Sequence, residues 1–140
     1  MKIGICDKDI GEAKLIKKSI EEWLKYEDEL RIEIYSLNEV IFDLEDELFN
    51  CNVLIIDIGL RTEELDSISI GKMINQMNSD CKLIYMSDSL ERVLDVYETD
   101  HCYFFLKKNW KIELKKAILK VCKLNSYMTQ QKMIEILHNR

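Results

Sequence analysis

Four polar side chains stand at the ends of apolar runs. Asp7 follows IGIC (3–6), Asp57 falls inside NVLIIDI (52–58), Ser87 follows KLIYM (82–86) and Lys107 follows YFFL (103–106). Gathered in one place, they would form a crevice with two carboxylates, a hydroxyl and an ammonium. The stretch ICDKD (5–9) alone admits three readings: an acidic metal site, an altered one because Lys8 separates Asp7 from Asp9, or the start of a helix. Asp57 interrupts apolar sequence, where a carboxylate is costly unless paired, so its position favours a function over a turn. Ser87 alone says little, since serine commonly ends strands, and Lys108 reads as an ordinary surface lysine.

The elements that would position these groups follow from hydrophobic spacing. Five short runs, 3–6, 31–35, 52–58, 82–86 and 103–106, are rich in Ile, Val, Tyr and Phe, as strands are. Helical spacing lies between them. It runs through Ile10, Ala13, Ile16, Ile20 and Trp23, then Val40, Leu44 and Leu48, then Ile70, Met73, Ile74 and Met77. A fourth helix is expected on Leu90, Val93 and Tyr97, and a fifth on Ile112, Ala117, Leu119 and Val121. Asp9-x-x-Glu12, Ser36-x-x-Glu39 and Asp88-x-x-Glu91 have the form of capping boxes. Repeated β-α alternation implies a parallel sheet covered on both faces. LRIEIYS alternates cleanly, which places the second strand at an edge. The expected fold is α/β, a doubly wound five-stranded parallel sheet of order 2-1-3-4-5. In such a sheet ligands sit beyond the carboxyl ends of the strands, where Asp7, Asp57, Ser87 and Lys107 are expected to meet. The tail NSYMTQQKMIEILHNR is read as a helix, with a strand or the first piece of another domain as alternatives.

Composition narrows the function classes. Length and a hydrophobic share of 47% fit one domain with a proper core. The net charge of −6 argues against nucleic-acid binding by this segment, which needs a basic patch. No apolar run reaches membrane-spanning length and the N-terminus is no signal peptide, so a cytoplasmic protein is expected. Cys6, Cys51, Cys81, Cys102 and Cys122 are odd in number and lack C-x-x-C spacing, which disfavours structural zinc and a disulfide framework.

In order, KIGICDKD, VLIIDIGL, KLIYMSDS and YFFLKKN resemble the response-regulator receiver (CheY-like) domain, over residues 1–124. VLDVYETDHCYFFLK is similar to receivers attached to LytTR-type DNA-binding domains. Residues 125–140 are then an extension, a linker or the start of an effector domain. The resemblance implies a flavodoxin-like fold and a phosphoacceptor, Asp57, that takes a phosphoryl group from a sensor histidine kinase. It implies that Lys107 pairs with the phosphoryl oxygens and that Ser87 hydrogen-bonds them. Phe104 would be the switch aromatic. Mg2+ would be held by Asp7, Asp57 and the Gly59 carbonyl. Output would pass through the face of the fourth helix, fifth strand and fifth helix, with homodimerisation on the fourth and fifth helices, to control transcription. Such a protein is not a conventional enzyme, although it assists its own phosphorylation and dephosphorylation.

The chain departs from that pattern. The family's second acid, the direct metal ligand, is here Lys8, and an ammonium repels a divalent ion. Lys8 could swing to solvent and leave a weakened Mg2+ site, or occupy the metal's place and pair with Asp57. The alternative function is therefore a degenerate receiver acting as a phosphorylation-independent interaction module. Asp9 is expected to cap the first helix and Asp88 the fourth. GLRTEELDSIS replaces the usual Met-Pro after the third strand. CDKDIGEA lacks the loop a flavodoxin needs, and Gly59 stands where a phosphatase of this fold needs an acid.

Overall fold

The segment VLIID, Val53–Asp57, is buried along its whole length. A central strand covered on both faces accepts such a sequence. In the computed structural model the strands are β1 (Lys2–Cys6), β2 (Arg31–Ile34), β3 (Val53–Asp57), β4 (Lys82–Ser87) and β5 (Tyr103–Leu106). They form one sheet of order β2-β1-β3-β4-β5, and all neighbouring pairs are parallel. The structure describes residues 1–124 and 130–138. The fold is the doubly wound, flavodoxin-like sheet expected from the alternation of runs. β2 lies at the edge and alternates exposed and half-buried residues.

The helices are α1 (Ile10–Trp23), α2 (Leu37–Glu45), α3 (Ser67–Met77), α4 (Trp110–Leu124) and α5 (Gln130–His138). Successive strand residues point to opposite faces, and this divides the core in two. Ile3, Ile5, Val53, Ile55, Ile84, Met86 and Phe105 pack in one layer with α1 and α4 residues such as Ile16, Ile20, Leu114 and Ile118. Leu54, Ile56, Leu83 and Tyr85 pack in the other with Val40 and Leu44 of α2 and Ile70 and Ile74 of α3. Ile136 of α5 joins the first layer. The helix expected in the tail is present over Gln130–His138; residues 125–129 and 139–140 lie outside the described residues.

Side chains cap three helices, and at α1 and α2 the capping residues are those expected from the sequence. The Asp9 side chain accepts from Glu12 N, Asp66 accepts from Ser69 N, and Ser36 and Glu39 form a reciprocal box. The fourth helix departs from expectation: Val93–Glu98 is a 3-10 helix, and no side chain caps it. Ser87 and Ser89 close a local turn instead, with Ser87 Oγ donating to Ser89 O at 2.8 Å and accepting from Ser89 N at 3.2 Å. The buried row is set by a period of three: Val96 and Thr99 are buried and Val93 half-buried, while Leu90 and Tyr97 are 60% and 75% exposed. In α4, likewise, Ile112 faces outward at 63% exposure, and Leu114, Ala117, Ile118 and Val121 form the buried face.

Candidate functional site

The apolar runs end where the sheet ends, so the polar residues that follow are delivered to one rim. Asp57 is the last residue of β3, Ser87 the last of β4, Asp7 follows β1 directly, and Lys107 follows β5 in a short 3-10 turn, Lys107–Asn109. The registers Cys6↔Ile56, Asp57↔Met86 and Ser87↔Leu106 bring these ends side by side.

Lys107 is the hub. Its ammonium donates to Asp57 Oδ2 at 2.7 Å, Asp7 Oδ1 at 2.9 Å and Glu12 Oε2 at 2.9 Å. An ammonium has three protons, and all three are used. Burial pulls the Lys107 ammonium down, but the bonds to Asp57, Glu12 and Asp7 outweigh it and hold the group above the ordinary lysine value. Asp57 is 1% exposed, and its other oxygen, Oδ1, accepts from Gly59 N at 2.8 Å. Both oxygens of the expected nucleophile are therefore engaged. Burial raises the Asp7 carboxyl above its usual range, against the Asp9 N–H and Lys107 that favour its charged form. Asp7 Oδ1 accepts from both Lys107 and Asp9 N, whereas Oδ2 is buried with no hydrogen-bond partner.

Lys8 takes neither of the expected places in full. It is 52% exposed and bonds Asp88 Oδ2 at 2.6 Å, so of the two alternatives it turns toward solvent, and Lys107 rather than Lys8 is the partner of Asp57. Asp88, expected as a helix cap, is spent on this bridge. Its carboxyl is held below the ordinary value by the Lys8 hydrogen bond, and the Lys8 ammonium is raised first by Asp88 and then by the charge of Asp57. The Ser87 hydroxyl is turned to Ser89, and Phe104 of β5 lies beside Tyr85 of β4 and packs against the α2–α3 layer. Beneath the carboxylates, burial first and then Asp57 and Asp7 push the Cys6 thiol up to about 12, so it stays protonated.

Two participants were not read from the sequence. Glu12 fitted a capping box, yet its side chain reaches Lys107 rather than the helix start. Ser67, fully buried, donates to Asp57 O at 2.6 Å and to Leu60 O at 3.1 Å, tying the loop after β3 to its strand. Nothing distinguishes it from other serines in a loop-to-helix junction except its place after the capping residue Asp66.

The donor set does not fit a divalent ion. Among the described side chains Asp7 Oδ2 is the one buried oxygen without a hydrogen-bond partner; Asp57 is taken by Lys107 and Gly59, and the neighbouring side chain at position 8 is a cation. Mg2+ requires several oxygens around it. Among the described residues no group of three or more His, Cys, Asp or Glu side chains is placed to hold a metal ion.

No protein-family model matches the chain, and no curated protein sequence does. Solved structures do. The fold is similar to the N-terminal domain of a response regulator/sensory box/GGDEF three-domain protein from Carboxydothermus hydrogenoformans, at 16% identity and TM-score 0.72, covering 91% of this chain and 98% of that one. It is similar to the isolated REC domain of RcsB from Salmonella enterica serovar Typhimurium, at 20% identity and TM-score 0.70, covering 97% of each. The response regulatory domain of MrkE from Klebsiella pneumoniae gives 12% identity and TM-score 0.72, covering 91% of this chain and all of that one. The fold of this chain is that of response-regulator receiver domains.

Proposed function

We propose that this chain is a two-component response-regulator receiver in which Asp57 accepts a phosphoryl group from a sensor histidine kinase. One observation carries the reading: Lys107 joins Asp57 and Asp7 at the carboxyl ends of β5, β3 and β1, beside Ser87 at the end of β4. Asp57 supplies the nucleophilic carboxylate, and the Lys107 ammonium, already 2.7 Å away, neutralises charge on the incoming group. Ser87 would leave the Ser89 turn to bond a phosphoryl oxygen, and Phe104 would follow it. The readout face is then the Val93–Glu98 turn, β5 and α4, where Leu94 and Tyr97 are 76% and 75% exposed. Homodimerisation through this face is part of the proposal. So is transcriptional output through a LytTR-type effector outside residues 1–140, with VLDVYETDHCYFFLK as its ground. A cytoplasmic location accords with a kinase partner; among the described residues no helix is long and apolar enough to cross a membrane.

A second reading has its own observation. Lys107 is saturated by three carboxylates and Lys8 stands in place of an acid, so the site is also consistent with an interaction module that needs no phosphate. Incubation with a phosphorylated histidine kinase or acetyl phosphate, followed by intact-mass spectrometry, separates them. A phosphoryl adduct on the wild type that Asp57→Asn lacks supports the receiver; no adduct from either donor supports the module.

A further inference from the structure

We infer that Lys8 is the second cation of the phosphoacceptor site, so that a phosphoryl group on Asp57 is held between two ammonium groups, Lys107 and Lys8, without a divalent ion. The inference rests on the phosphoacceptor reading. A methyl carbon built on Gly59 would lie 3.2 Å from Asp57 Oδ1 and 3.7 Å from Lys8 Nζ, so the carboxylate and the ammonium border the same space beside that glycine. The absence of a side chain at Gly59 leaves the space between them clear. A negative group added to Asp57 would grow into it.

Asp88 is the resident partner of Lys8, at 2.6 Å, and both side chains are more than half exposed. A phosphoryl group carries close to two negative charges, against one on Asp88, and attracts the same ammonium more strongly at equal distance. Lys8 then changes partners. The exchange would free Asp88, which sits next to Ser87 at the start of the β4–β5 connection, so the cation that stabilises the product also loosens the segment leading to the readout face. The chemistry balances without a metal. One Asp57 oxygen attacks phosphorus of an acyl phosphate, the bond from phosphorus to the acyl oxygen breaks, and the carboxylate leaves with the electron pair. No proton is transferred.

The test is labelling of the full chain by acetyl phosphate in EDTA and in excess Mg2+, followed by intact mass, with Asp57→Asn as the blank. The wild type should label at closely similar rates in both. Lys8→Ala should lose about a hundredfold in EDTA, the usual effect of removing one charge-stabilising donor. Lys8→Asp should label only with Mg2+, and Asp88→Asn should label faster than wild type because Lys8 is released. Wild-type labelling of Asp57 that requires Mg2+, or a Lys8→Ala rate equal to wild type in EDTA, overturns the inference and leaves the phosphoacceptor reading intact. No labelling of Asp57 under either condition removes both.

Discussion

Lys107 and Asp57 meet at 2.7 Å in a pocket where their side chains are 6% and 1% exposed. Both charges have left water, and each is tolerable only because the other is present. Removing the cation therefore leaves carboxylates facing one another. Lys107→Met is expected to destabilise the protein by about 3–5 kcal/mol at neutral pH, the usual effect of breaking a buried pair. Urea denaturation checks it, and a loss below about 1 kcal/mol would mean that water reaches the pocket.

The same pair sets a pH dependence. The folded-state value of Lys107 is raised above the ordinary 10.5, so the folded protein binds its proton more tightly than the unfolded chain. That contribution is fully present below about 10.5 and is lost as pH rises from there through the folded value. Buried tyrosines such as Tyr85, raised to about 12 by burial, lose stability in the same direction. The informative quantity is thus the difference between wild type and Lys107→Met. The gap in unfolding free energy should narrow as pH rises above 10.5, because only the wild type has that proton to lose. A gap constant from pH 8 to pH 11.5 would contradict the shift.

How much of this was legible in the sequence depends on what fixes each group. Asp7, Asp57 and Lys107 could be located because each ends an apolar run, and a parallel sheet brings such ends to one rim. The edge position of β2 was legible from its alternation. Glu12 was hidden because its spacing from Asp9 satisfies a cap as well as a site, and spacing does not say where a long side chain points. The Lys8–Asp88 bridge joins loops distant in sequence, and several acids were equally eligible. The segment after β4 was misread because Leu90, Val93 and Tyr97 fit a period near 3.6, while the chain buries Val96 and Thr99 and half-buries Val93, at a period of three. A short segment cannot distinguish the two periods without knowing that Asp88 is engaged elsewhere.

Ser67 yields a prediction about loop anchoring. Its hydroxyl is shared between the carbonyls of Asp57 and Leu60, and the residue is fully buried. Ser67→Ala removes the short hydroxyl bond from the Asp57 carbonyl, which keeps its bond from Leu60 N at 3.2 Å, and Leu60 O keeps its bond from Ser67 N at 3.2 Å. A loss of about 1–2 kcal/mol is expected from one such buried hydrogen bond. Amide exchange should show faster opening at Gly59 and Leu60 than in β1. Uniform acceleration throughout the sheet would show that Ser67 supports the fold generally rather than this loop.

The last prediction concerns a glycine that makes room. Gly71 lies in α3, and a Cβ there would overlap the Tyr85 hydroxyl. Tyr85 is fully buried, and its hydroxyl is bound to Thr99 Oγ1 at 2.9 Å, so moving the ring disturbs both packing and a hydrogen bond. Gly71→Ala improves helix propensity by up to about 1 kcal/mol but must displace this ring, and overpacking of a full core costs about 1–3 kcal/mol. Net destabilisation is expected. Tyr85→Phe removes the clashing oxygen, and Thr99 Oγ1 retains a bond to Val96 O at 3.0 Å. The double variant should therefore recover most of the loss, with a coupling of about 1–2 kcal/mol in a double-mutant cycle. Additive effects would show that α3 moves away from the sheet instead, and the tight approach between Gly71 and Tyr85 would not be what fixes α3 on β4.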